Sequence, residues 1–117
     1  MWWWRAGPAA AAQPTVSSVV VPNGTERSSV VMLHGFTQTG RCLGPLADAL
    51  EESHTVLRPD LPGHGGAAAL AELDLWATAE HLSRAIGPTL EQPSVWFGYS
   101  MGGRVALHVA LAHPELV

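Results

Sequence analysis

The chain contains no lysine: its six basic residues are Arg5, Arg27, Arg41, Arg58, Arg84 and Arg104. That absence excludes a Walker A phosphate loop and any Schiff-base chemistry, since both need a lysine amine. The arginines are scattered singly against ten acidic residues, for a net charge of −4. A nucleic-acid footprint needs clustered cations, so none is expected. The single cysteine, Cys42, excludes an internal disulfide framework and fits a reducing compartment. The cytoplasm is the expected location. Charged residues make up only 14% and hydrophobic ones 47%, which is the composition of a chain that buries a core. Even so, no apolar run reaches the ~20 residues of a membrane span. The opening "MWWWRAGPAAAAQ" places its one cation after the apolar residues and is broken by Pro8, unlike an export signal. The tryptophans at 2–4 lack the amphipathic helix that would hold them at a membrane surface. No His, Cys, Asp and Glu grouping has metal-ligand spacing, so no metal is expected.

With 117 residues the chain has room for one modest core. A Pro/Ala-rich leader over 1–14 precedes a single domain over 15–117. "TVSSVVV" (15–21) reads as a strand ending at the turn "PNGTE", and "SVVMLHG" (29–35) as a second, continuously apolar strand buried on both faces. A hairpin between them is one arrangement. A helix over 44–53 follows, with Leu46, Ala47 and Leu50 facing inward, then a strand over 54–60 that Pro59 stops. Asp74 is a plausible N-cap for a helix carrying Leu75, Ala79, Leu82 and Ile86 at helical spacing, ended by Gly87-Pro88. "SVWFG" (94–98) is a buried strand and 101–112 a helix stopped at His113-Pro114. Strands alternating with helices predict an α/β fold, a mostly parallel sheet flanked by helices.

"GYSMGG" (98–103) puts Ser100 in the tight turn between that last strand and helix. The turn brings two backbones so close that positions two before and two after the serine must lack a side chain, as Gly98 and Gly102 do. The hydroxyl then stands at the positive end of a helix. An oxyanion formed there meets the NH of Met101, and a second donor is expected from "HGFTQTG" (34–40), with the Phe36 NH as the candidate. Arg104, one turn on, can share the Ser100 face at about 6 Å. A cation in a first helical turn is opposed by the helix dipole and gains most when an anion, such as a substrate carboxylate, shares the site. Pairing with a structural carboxylate or with solvent is the other reading. Tyr99 flanks the serine as a pocket wall or a packing residue.

"LHGFTQTG", "RPDLPGHG" and "GYSMGGRVALHVALAHPELV" together resemble the N-terminal half of an α/β-hydrolase-fold enzyme, over about 15–117. Within that superfamily "GYSMGGRVAL", "HGF" and "DLPGHG" are most similar to the 2-succinyl-6-hydroxy-2,4-cyclohexadiene-1-carboxylate synthases of menaquinone biosynthesis. The resemblance implies cofactor-free elimination of pyruvate from a small cyclohexene carboxylate, with Ser100 catalytic and Arg104 near a substrate carboxylate. Two alternatives stand beside that lyase: a serine esterase or C–C bond hydrolase working through an acyl-enzyme, and an inert fragment or partner-binding module.

The histidines offer no evident base. His34 orders the loop that follows it, His64 belongs to a structural turn, and His54 and His81 read as structural. His108 lies about 12 Å along the helix from Ser100, and His113 further still. In this fold acid and histidine follow the nucleophile, but only seventeen residues follow Ser100. The sequence therefore reads as a nucleophile-bearing half. Without its histidine, rate enhancement of order 10³ to 10⁴ is the most expected of the oxyanion hole and binding. "SVWFG" then becomes an open sheet edge, suited to self-association or complementation.

Overall fold

The computed structural model describes residues 27–70 and 73–117. The leader, the strand expected over 15–21 and its hairpin lie outside the described residues. Six principal elements follow in order: β1 (Ser29–Leu33), α1 (Gly44–Glu51), β2 (Thr55–Leu57), α2 (Leu75–Ile86), β3 (Val95–Gly98) and α3 (Met101–Ala112). Short 3₁₀ turns occupy Gly40–Leu43, Gly65–Ala67, Gly87–Thr89 and Pro114–Leu116.

The three strands form one sheet in the order β2-β1-β3, parallel throughout. A parallel sheet must be covered on both faces, and β1 supplies apolar residues to each. Val31 and Leu33 join Leu57 with Ala79, Leu82 and Ile86 of α2 and Val105 and Val109 of α3. Val30 and Met32 join Val56 and Ala47 of α1 on the opposite face. Helix α2 starts as its sequence dictates, with Asp74 Oδ1 accepting from the Ala77 NH at 2.7 Å.

Four expectations need adjustment. β3, expected to be buried, has Val95 exposed and its other residues half-buried, because it is an edge strand among the described residues. Leu46 is exposed, because the inward stripe runs from Leu43, just before α1, through Ala47 and Leu50 at spacings of four and three. Both β1 and β2 are shorter than expected, since His34 and Asp60 leave the ladder to bond loop groups. Helix α1 ends at Glu51, two residues early.

Sheet order decides where a site belongs. The chain passes from central β1 to β2 on one side and then to β3 on the other. The loops leaving β1 and β3 therefore diverge at neighbouring carboxyl ends, the switch point where open α/β sheets bind ligands. There the Tyr99 NH donates to Leu33 O at 2.9 Å. Among the described residues, β3 forms one edge of the sheet.

Candidate active site

The turn between β3 and α3 is built by close backbone approach. A methyl group on Gly98 would collide with the backbone of Gly102 and Gly103, and one on Gly102 with the Leu33 and His34 carbonyls. Only glycine fits at either place. Ser100 itself sits at φ 53°, ψ −116°, a conformation costing a non-glycine residue about 1–3 kcal/mol. Serine is a favoured N-cap, yet Ser100 makes no cap hydrogen bond to α3. The residue is exposed. The Gly103 and Arg104 NH groups bond back to Ser100 O at 3.0 and 3.2 Å. Met101, as the first residue of α3, has an NH without an intrahelical acceptor.

The second wall is the turn after β1. Gln38 NH donates to Gly35 O at 3.1 Å, and Gln38 Oε1 accepts from the Gly35 NH at 3.0 Å. Both bonds bypass the NH of Phe36, the second residue of that turn. Thr37 completes it at φ 63°. Fully buried His34 ties the turn to the chain beyond β2: its Nε2 accepts from the Leu61 NH at 2.9 Å, so the proton lies on Nδ1, which donates to Gly35 O at 2.8 Å. Burial pushes the His34 pKa below its ordinary 6.5, with repulsion from His64 adding to the effect. Asp60, also buried, clamps the same two loops, accepting from the Gly40 NH at 2.7 Å and the Gly66 NH at 2.9 Å.

A neutral His34 has a consequence for pH. The folded pKa is depressed, so the unfolded chain binds the extra proton first, and the stability His34 contributes is complete above about 6.5 and lost as pH falls through its folded pKa. His34→Gln is expected to cost about 1–3 kcal/mol at pH 7.5. It is also expected to flatten the loss of stability between pH 6.5 and 5, read by urea denaturation at each pH. An undiminished pH slope in the variant contradicts this role.

Phe36 and Met101 line a common cavity of ≈ 120 Å³, together with Leu61, His64, Thr78 and Val105 among others. The two candidate oxyanion residues thus meet at one space. Ser100, Tyr99 and Arg104 are exposed and do not line it. The Tyr99 ring packs on Gly35, 3.0 Å from where a Cβ would stand. No carboxylate among the described residues forms an ion pair with Arg104. His108 and His113, expected to lie too far along α3 to serve Ser100, have partners of their own. His108 Nδ1 bonds Arg104 O at 2.7 Å and its ring meets Trp76 at 4.5 Å. His113 bonds Glu80 at 2.6 Å and Glu115 at 3.2 Å; these carboxylates, Glu80 foremost, raise its pKa, and the bond lowers that of Glu80. No imidazole among the described residues hydrogen-bonds Ser100. No group of three potential metal ligands occurs among them either, and none of their helices is long and apolar enough to cross a membrane.

Sequence reasoning did not single out Asp60 or Gln38, and it assigned His64 only a structural turn. The available signals were Asp60 between a proline and the glycines of "LPGHGG" and Gln38 within the "HGFTQTG" loop. Neither pattern says which distant NH is bonded.

Residues 28–117 match the family described as alpha/beta hydrolase fold. The chain belongs to that family. As an α/β-hydrolase-fold chain, it is 36% identical over 89 residues to the pimeloyl-[acyl-carrier protein] methyl ester esterase of Xylella fastidiosa (strain 9a5c), covering 75% of this chain and 33% of that protein. It is likewise 36% identical to lipase LipV of Mycobacterium tuberculosis, over 82% of this chain and 36% of the lipase. Among solved structures, a marine microorganism esterase superposes with a TM-score of 0.69 at 27% identity, covering 80% of this chain and 36% of the other. Cfl2 from Burkholderia cenocepacia superposes with a TM-score of 0.71 at 25% identity, over 78% and 31%. The chain spans about a third of the length of the curated relatives it matches. Within this chain the turn at Ser100 joins β3 to α3 at the carboxyl end of the sheet.

Proposed function

We propose that this chain carries the nucleophile of a serine ester hydrolase. The observation that carries the reading is Ser100, strained, uncapped and exposed between two glycines that no other residue can replace. Similarity to an esterase and a lipase favours ester hydrolysis over the pyruvate elimination that the sequence motifs suggested. In this reading Ser100 Oγ attacks the ester carbonyl while its proton passes to a general base, a role that no imidazole among the described residues fills. Negative charge on the former carbonyl oxygen is held by the NH groups of Met101 and Phe36. Collapse of the tetrahedral species expels the alcohol, which takes up the proton, and leaves an acyl group on Ser100. Water then releases the acid. Arg104, exposed one helical turn after Ser100, would attract carboxylated substrates.

Elimination of pyruvate is the second reading, supported by the motif "GYSMGGRVAL". One experiment addresses both. A fluorophosphonate is expected to add to Ser100 alone, read by intact mass and peptide mapping, and Ser100→Ala is expected to take up none. Labelling spread over other serines, or absent from the folded chain, contradicts the nucleophile. Pyruvate released from a cyclohexene carboxylate, without uptake of water, favours the elimination.

A further inference from the structure

The cavity between Phe36 and Met101 is apolar apart from two side chains, His64 and Thr78. Thr78 is buried and directs its hydroxyl to Leu73 O at 3.4 Å. His64 differs. Its Nδ1 lies 3.1 Å from Pro62 O, and a carbonyl oxygen only accepts, so the ring carries its proton there. A neutral imidazole protonated at Nδ1 keeps a lone pair on Nε2. Among the described residues nothing hydrogen-bonds that nitrogen, and it is not among their buried atoms lacking a partner, so it opens onto accessible space. The ring's attitude is fixed by edge-on contacts with His34 at 5.2 Å and Phe36 at 5.7 Å. His34 is in turn fixed by two hydrogen bonds.

We infer that His64 determines specificity: its Nε2 accepts a hydrogen bond from a hydroxyl on a short, otherwise apolar acyl chain seated in this cavity. The chemistry follows from the lining. Apolar walls favour a hydrocarbon chain, and one oriented acceptor distinguishes a chain that carries a donor from one that does not. The inference rests on the ester-hydrolase reading only in naming the ligand an acyl group.

Binding, rather than turnover, tests it. The full chain carrying Ser100→Ala, with ¹³C-methyl methionine, would be titrated with methyl butyrate and with methyl 3-hydroxybutyrate. Met101 lines the cavity, whereas Met32 lies in the separate cluster across the sheet and serves as the control. The Met101 methyl is expected to shift with both esters and to saturate at roughly fivefold lower concentration of the hydroxy ester, while Met32 stays in place. His64→Phe is expected to abolish that preference and to retain methyl butyrate binding, with an unshifted Met32 methyl reporting an intact fold. His64→Gln, whose amide oxygen accepts, is expected to keep part of the preference. Equal binding of the two esters by the parent chain, a preference that survives His64→Phe, or no Met101 shift with either ester would overturn the assignment. Phosphonate labelling at Ser100 is independent of all three results, so failure here and failure of the nucleophile are distinguishable.

Discussion

Gly102→Ala is expected to destabilise the chain by about 4 kcal/mol or more, the range in which single substitutions prevent folding. The added methyl would lie against the carbonyls of Leu33, the last residue of β1, and His34, which follows it. Neither can retreat easily. Leu33 O accepts the Tyr99 NH, and His34 is held at both ring nitrogens. Helix α3 would have to move off the sheet, taking Val105 and Val109 out of the core they share with Leu82 and Ile86. Gly103→Ala provides the comparison, since its methyl would meet Gly98 O at 3.1 Å and Gly98 C at 3.6 Å, with no closer contact. A small loss there beside a large loss at Gly102, measured by urea denaturation, locates the constraint in the elbow rather than in helix propensity. Equal losses contradict it, because both glycines lie in the same helical turn and alanine raises helix propensity at each.

The second large effect is expected at Asp60. Its carboxylate accepts from Gly40 and Gly66, on loops far apart in sequence, and Asp60→Asn turns one of those acceptors into a donor facing another NH. A lost charge-assisted bond and an unsatisfied buried donor together are expected to cost about 2–4 kcal/mol. Hydrogen exchange is expected to accelerate at the Gly40 and Gly66 amides well beyond the change at Val31. Uniform acceleration across the sheet would contradict a local clamp.

The sequence made one layer of the fold visible and hid another. Helix α3 is legible at both ends, because Ser100 with its flanking glycines and His113-Pro114 are local signals. The unbroken apolar run of β1 announces burial on two faces, as found. Long-range partners carry no such signal. Nothing in "HGF" specifies that His34 will bond Leu61, twenty-seven residues on, or that Asp60 will reach back twenty residues to Gly40. The sheet order that puts β3 beside β1 is equally non-local. His64 reads locally as a turn residue, since a Gly-rich loop explains itself and the cavity it lines is assembled from four separate segments. Short motifs also could not separate lyase from hydrolase, because both place the same elbow at the same strand end.

Convergence of the Met101 and Phe36 amides on charge developing beside Ser100 is read in the ¹H–¹⁵N spectrum before and after phosphonylation of Ser100. Downfield amide proton shifts are expected at Met101 and Phe36 as both donate to the phosphonyl oxygen, with amides on the far face, such as Ala47, unmoved. A Met101 shift with Phe36 unchanged would leave the oxyanion site with one donor, and no shift at either would contradict it.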